Sequence, residues 1–112
     1  MLVIDPTVRE FFIPDSEKDK DRPAEFELTG LTAREKLRVF ARVQSEADAS
    51  GADVIYEVLA MKCSGWRNVR GADGADLAFR RELLDHLDSS LVVELYTRIM
   101  ELSTLSAETA GN

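Results

Sequence analysis

The stretch AEFELTGLTAREKLRVFARV, residues 24–43, changes its hydrophobic period partway along, and that change decides the fold class. Ala24 to Thr29 alternates apolar and polar, the period of a half-buried strand. Thr32-Ala33-Arg34-Glu35 then fits a capping box, in which the threonine oxygen takes an amide of the first turn and the glutamate reaches back to the cap amide. From there Ala33, Leu37, Phe40, Ala41 and Val43 recur at mostly three- and four-residue steps, which gives a helix one apolar face up to about Ala47. Arg34, Arg38 and Arg42, four residues apart, form a basic stripe opposite that face. The stripe reads first as a solvated face, or as the surface on which acidic Asp15 to Glu27 lies, and second as a holder of an acidic partner.

Toward the N-terminus, Val8 to Ile13 reads as a strand that ends at Pro14, and Asp15 to Arg22 as a charged loop, so the region forms a hairpin. Pro6, Pro14 and Pro23 border the strands, where a missing amide donor is tolerated. Toward the C-terminus, Ser50-Gly51 breaks the first helix and Asp53 is the expected cap of a second, Val54 to Cys63, with a stop at Gly65. This segment is apolar on nearly all sides, the mark of a central helix. Its Val54-Ile55 start would also suit a buried strand, and length and caps decide for the helix.

Trp66 to Phe79, with its Asp73-Gly74 turn, is expected to form a second small hairpin or a tight irregular loop. Arg81 to Leu87 suits a short helix. Ser89 or Ser90 offers a cap for a last one, whose Leu91, Val92, Leu95, Ile99 and Leu102 share a face. Periodicity is lost from Ser103, and Gly111 and Asn112 are expected to fray. The sequence thus predicts a mostly α-helical α+β domain, an N-terminal β-hairpin followed by three to four helices. It divides into an acidic hairpin arm (1–30), a helical core (31–105) and a frayed tail (106–112).

The chain has 112 residues and a formal charge of −7, one domain long enough to bury roughly two thirds of its unfolded surface without metal or disulfide staples. Residues 1–30 carry 4 basic and 8 acidic groups, 31–63 carry 5 of each, and 64–112 carry 5 and 8. That field is the reverse of what phosphate backbones require, so nucleic acid is not an expected partner. No apolar run approaches the roughly 20 residues of a membrane span, and neither a basic start nor the apolar core of a secretory signal is present, so a cytoplasmic protein is expected. The single cysteine agrees with a reducing compartment.

Site chemistry is sparse. Cys63 and His86 are the only soft or imidazole donors and stand in no ligand spacing. His86, between Asp85 and Asp88, reads as a polar surface residue, and Cys63 as a small core residue rather than a nucleophile. Gly71 to Asp76 lacks the Gly-Lys-Ser/Thr ending of a phosphate loop. It also lacks the glutamate a calcium loop needs, since the position eleven residues after Asp73 is Leu84. The segment reads as a turn, no cofactor or metal is implied, and an enzyme is not expected. Phe11, Phe12, Phe26 and Trp66 are aromatics of the kind that close a small core. Phe11 and Phe12 are adjacent, so one of them points away from the other's face toward a partner or a second subunit.

Several pieces in this order resemble the small tail assembly chaperones of long-tailed bacteriophages and prophages. They are Glu25-Phe26-Glu27-Leu28 with Leu31-Thr32-Ala33-Arg34-Glu35, Gly65-Trp66-Arg67-Asn68-Val69 with Asp73-Gly74 and Phe79, and a closing helix with Leu95, Ile99 and Ser103 to Glu108. The resemblance implies a non-enzyme that binds the tape measure protein, keeps its helices soluble and recruits tail tube subunits. It also implies self-association, residence in the cytoplasm of the bacterial host and absence from the mature virion. The alternatives are another small morphogenesis protein, such as a head-tail adaptor or tail completion subunit, and an acidic antitoxin-like module. Candidate partner-binding residues are Phe11, Phe12, Arg34, Arg38, Arg42, Trp66, Leu95 and Ile99.

Overall fold

The structure, a computed structural model, describes residues 9–45 and 51–111, with side chains through Gln44 and from Gly51 to Ser103. Three strands, β1 (Glu10–Phe12), β2 (Glu25–Leu28) and β3 (Cys63–Arg67), form an antiparallel sheet in the order β1-β2-β3. Three α-helices, α1 (Ala33–Ser45), α2 (Gly51–Lys62) and α3 (Ser89–Gly111), with 3-10 helices at Asp15–Glu17 and Arg81–His86, complete a mostly helical α+β fold.

The alternation read in the sequence sets the two faces of β2. Phe26 and Leu28 are buried, while Glu25 and Glu27 face outward. Register places Phe12 and Trp66 on either side of Phe26, so the inner face is aromatic across all three strands. On the outer face Glu27 accepts from Arg9 at 3.0 Å and from the Ser64 hydroxyl at 3.1 Å. An irregularity between Glu27 and Leu28, where Ser64 has no Cα partner, swings Cys63 into the core.

Phe26, Leu28 and Leu31 share one cluster with Val58 and Leu59 of α2, Leu84, and Val92, Leu95, Ile99 and Leu102 of α3. The hairpin is therefore no separate arm, because β2 is a wall of the same core. Trp66 belongs to β3 and completes the N-terminal sheet instead of opening a second hairpin. The chain after β3 forms the tight irregular loop, closed by a single bridge between Arg70 and Asp76 and turned by Gly74 at φ 79. Asn68 leaves β3 at φ 59, a conformation asparagine tolerates, and its side-chain amide donates to the Pro23 carbonyl at 2.9 Å.

Four helix ends differ from expectation. Gly51 is already helical, so Asp53 sits in the first turn of α2, where its charge suits the helix dipole, and does not cap it. α2 ends at Lys62 and runs directly into β3, because Cys63 and Gly65 are claimed by the ladder with β2. Asp88, not Ser89 or Ser90, caps α3: its carboxylate accepts from the Ser90 amide at 3.1 Å. α3 also continues to Gly111, so the segment expected to fray is helical to that point, and Asn112 lies outside the described residues.

The turn from β2 into α1 rests directly on α3. A Cβ at Gly30 would lie 2.7 Å from the Ser103 backbone nitrogen, so glycine is required by close approach. Ser103, buried at 3 % exposure, accepts from the Leu31 amide at 2.6 Å and donates to the Ile99 carbonyl at 2.8 Å. A second link joins β1 to α3, where Arg98 donates to both Glu10 oxygens at 2.6 and 2.7 Å and to Glu101 at 2.9 Å.

Gly30→Ala is expected to destabilise the protein by about 1–3 kcal/mol through overpacking, whereas Gly51→Ala, with open space around it, should be neutral or slightly stabilising. Urea denaturation of the two variants checks this. The Arg98 guanidinium, through its hydrogen bonds, holds the Glu10 carboxyl below the ordinary glutamate range. A carboxylate lowered in the folded state contributes stability above its unfolded value, about 4.3, and loses it as pH falls through the lower folded value. Stability measured from pH 6 downward should therefore fall less steeply on the acid side in Arg98→Ala than in the parent protein.

Candidate functional site

The capping box forms as its residues dictate: the Thr32 amide donates to Glu35 at 2.8 Å and the Glu35 amide to the Thr32 hydroxyl at 3.2 Å. This fixes where α1 begins and hence its rotation. Glu35, Val39 and Arg42 turn toward α2, where Glu35 pairs with Lys62 at 2.7 Å and Arg42 with Glu57. Leu37, Phe40 and Val43 turn outward and are 69 %, 61 % and 51 % exposed. The apolar face of α1 thus points to solvent, and its charged side packs on the body of the protein.

Between α1 and α2 runs a groove of about 380 Å³, lined by Val39, Val54, Ala60 and Met61 with Arg38 and Glu57 among its polar groups. Lys62 beside Glu35 holds that carboxyl below its ordinary range against the opposing effect of burial, the largest single influence on it. A second hollow, of about 550 Å³, lies beside the edge strand β1 over Phe12, Ile13 and Thr97. The Arg98–Glu10 pair crosses it, so its strongest charges are already matched.

The residues singled out from sequence divide sharply. Leu95 and Ile99 are fully buried and hold the core, presenting nothing to a partner. Trp66 is fixed, not poised: its indole donates to the Leu77 carbonyl at 2.7 Å, and its ring stands edge-on to Phe26 and Phe79 at 6.1 and 5.1 Å. Phe12 packs against the core, while Phe11, 37 % exposed on the opposite face, lies beneath the Arg67 guanidinium at 3.8 Å. Of the basic stripe, Arg34 and Arg38 are exposed and Arg42 is half-buried against Glu57, so the stripe meets α2 and not the acidic segment Asp15 to Glu27.

Burial pushes the Cys63 thiol up to about 11, a direction opposite to that of a nucleophile. His86 is exposed on the second 3-10 helix. Among the described residues no group of three or more His, Cys, Asp and Glu is placed to hold a metal ion, and no helix is long and apolar enough to cross a membrane. The feature best suited to meeting another molecule is the outer face of α1: the sequence reads the basic stripe opposite it as the solvated side, whereas the structure turns the apolar residues outward and Arg42 toward α2. No family model, curated protein or solved structure matches the chain.

Because Phe40 contributes little to the core, Phe40→Ser should change folding stability by no more than about 0.5 kcal/mol. Leu95→Ala should cost about 2–5 kcal/mol through the cavity it leaves. Chemical denaturation of the two variants distinguishes a surface strip from a core face.

Proposed function

We propose that this protein is a non-enzymatic assembly chaperone of the long-tailed phage type, which binds the tape measure protein, keeps its helices soluble and helps recruit tail tube subunits. The observation that carries the reading is the capped helix α1, anchored by two ion pairs and displaying Leu37, Phe40 and Val43 to solvent. An apolar strip on an exposed helix is what a helical client can lie against. The acidic charge of −7 agrees with a carrier that stays dispersed while its client is apolar. The order of motifs from Glu25 to Glu108 adds the resemblance to that family.

In this reading the protein self-associates, works in the host cytoplasm and leaves before the virion is complete. Co-expression with the tape measure candidate of the same genome is expected to raise the soluble fraction of that client several-fold and to yield a complex that survives size exclusion. An unchanged soluble fraction with no complex would defeat the proposal, as would recovery of the protein at stoichiometric levels from purified virions, the outcome expected of an adaptor or completion subunit.

A further inference from the structure

α1 carries four basic groups, Arg34, Lys36, Arg38 and Arg42, against one acid, Glu35, within a chain whose overall charge is −7. The two charges that face inward are matched by α2, Glu35 by Lys62 and Arg42 by Glu57. Helical geometry, with 100° per residue, places Arg34 on one flank of the Leu37–Phe40 strip and Lys36 on the other, while Arg38 turns away from the strip toward the groove with α2. Arg34 is exposed and Lys36 half-buried beside the exposed strip. The outward side of α1 is therefore apolar along its middle and cationic at its borders, the reverse in sign of the protein as a whole.

That sign selects the occupant. A second copy laid face to face would oppose Arg34 and Lys36 to the same cations, and like charges at the border of a contact oppose docking. A basic helix is rejected for the same reason. An amphipathic helix with acidic residues beside its apolar stripe meets both requirements at once, with leucine-like side chains against Leu37 and Phe40 and carboxylates against Arg34 and Lys36. At 13 residues α1 is about 20 Å long, enough for between three and four turns of such a helix.

We infer that the outer face of α1 is a docking strip for an acid-flanked amphipathic helix of a partner protein. This rests on the chaperone reading only in identifying that partner with the client. Two synthetic helices of about 20 residues, sharing one leucine stripe and flanked by glutamates in one and by lysines in the other, supply the probe. Fluorescence anisotropy should show the glutamate peptide binding at least about tenfold more tightly than the lysine peptide, with the ratio shrinking between about 50 and 300 mM salt. Phe40→Ser should weaken the glutamate peptide by about tenfold or more with an unchanged circular dichroism spectrum. The double variant Arg34→Glu, Lys36→Glu should abolish or invert the preference.

Equal affinity for the two peptides, absence of binding, or a preference indifferent to the two charge reversals would overturn the inference. So would light scattering that finds a dimer in the parent protein and a monomer in Phe40→Ser, since a second copy would then cover the strip. Sedimentation with phosphatidylserine vesicles that Phe40→Ser abolishes would assign the strip to a membrane and overturn it equally. Co-purification of the tape measure protein with Phe40→Ser as well as with the parent would retain the chaperone reading and reject α1 as its site. Tight, charge-selective binding of the glutamate peptide without any complex with the tape measure protein would do the reverse.

Discussion

The contact of Gly30 and Leu31 with Ser103 is the constraint on which the remaining geometry turns. One strand, one helix start and one long helix converge there, and the approach is so close that a single methyl group at residue 30 would meet the α3 backbone. The Ser103 hydroxyl satisfies the Leu31 amide, which precedes the capping box and has no place in the sheet ladder. A buried amide left without an acceptor costs about 1–3 kcal/mol, so the serine holds the turn against α3 while also returning its proton to the Ile99 carbonyl. With the turn pinned, the capping box that begins at the next residue sets the start of α1, and the start sets which residues face out.

The orientation of α1 follows from this chain of local constraints more than from attraction between α1 and α2. Ion pairs such as Arg42–Glu57, with side chains 36 % and 49 % exposed, contribute modestly in water. The Glu35–Lys62 pair is better shielded, at 26 % and 14 %, and lies in the first turn, next to the cap. Both pairs agree with the direction the turn imposes. The core has no need of the outward face of α1, because the inner sheet face, α2, Leu84 and α3 already enclose one another.

Much of this was legible in residues 24–43: the strand, the capping box, the helix and its two faces all follow from spacing. Periodicity defines a face without saying whether it meets the chain's own core or solvent, and here that depended on Leu31 and Ser103, 72 positions apart in sequence. The same limit explains why Leu95 and Ile99 proved to be core, since a buried face and a partner-binding face share one pattern. Trp66 stood out by residue type, but its place in β3 depended on pairing with β2, a contact of long sequence separation. The helix ends at Lys62 and Asp88 were displaced from expectation because strand pairing claimed Cys63 and a side chain just ahead of the serines took their amide. The burial that raises the Cys63 thiol depended on the sheet irregularity beside it, which spacing does not announce.

Exposing Leu37, Phe40 and Val43 together carries a cost that the rest of the molecule must offset. Three large apolar side chains on one helical strip invite association, and the groove behind them adds Met61, itself 45 % exposed. The long-range field opposes that association, because two molecules of charge −7 repel before their strips can meet, and the cations bordering each strip repel at contact. A partner helix with acidic borders escapes the second penalty but still approaches through the first. Association with it is therefore governed by the local border charges at short range, with the apolar strip supplying the attraction once water is displaced. Selectivity of this kind comes from where charge is placed on one helix rather than from the shape of a pocket.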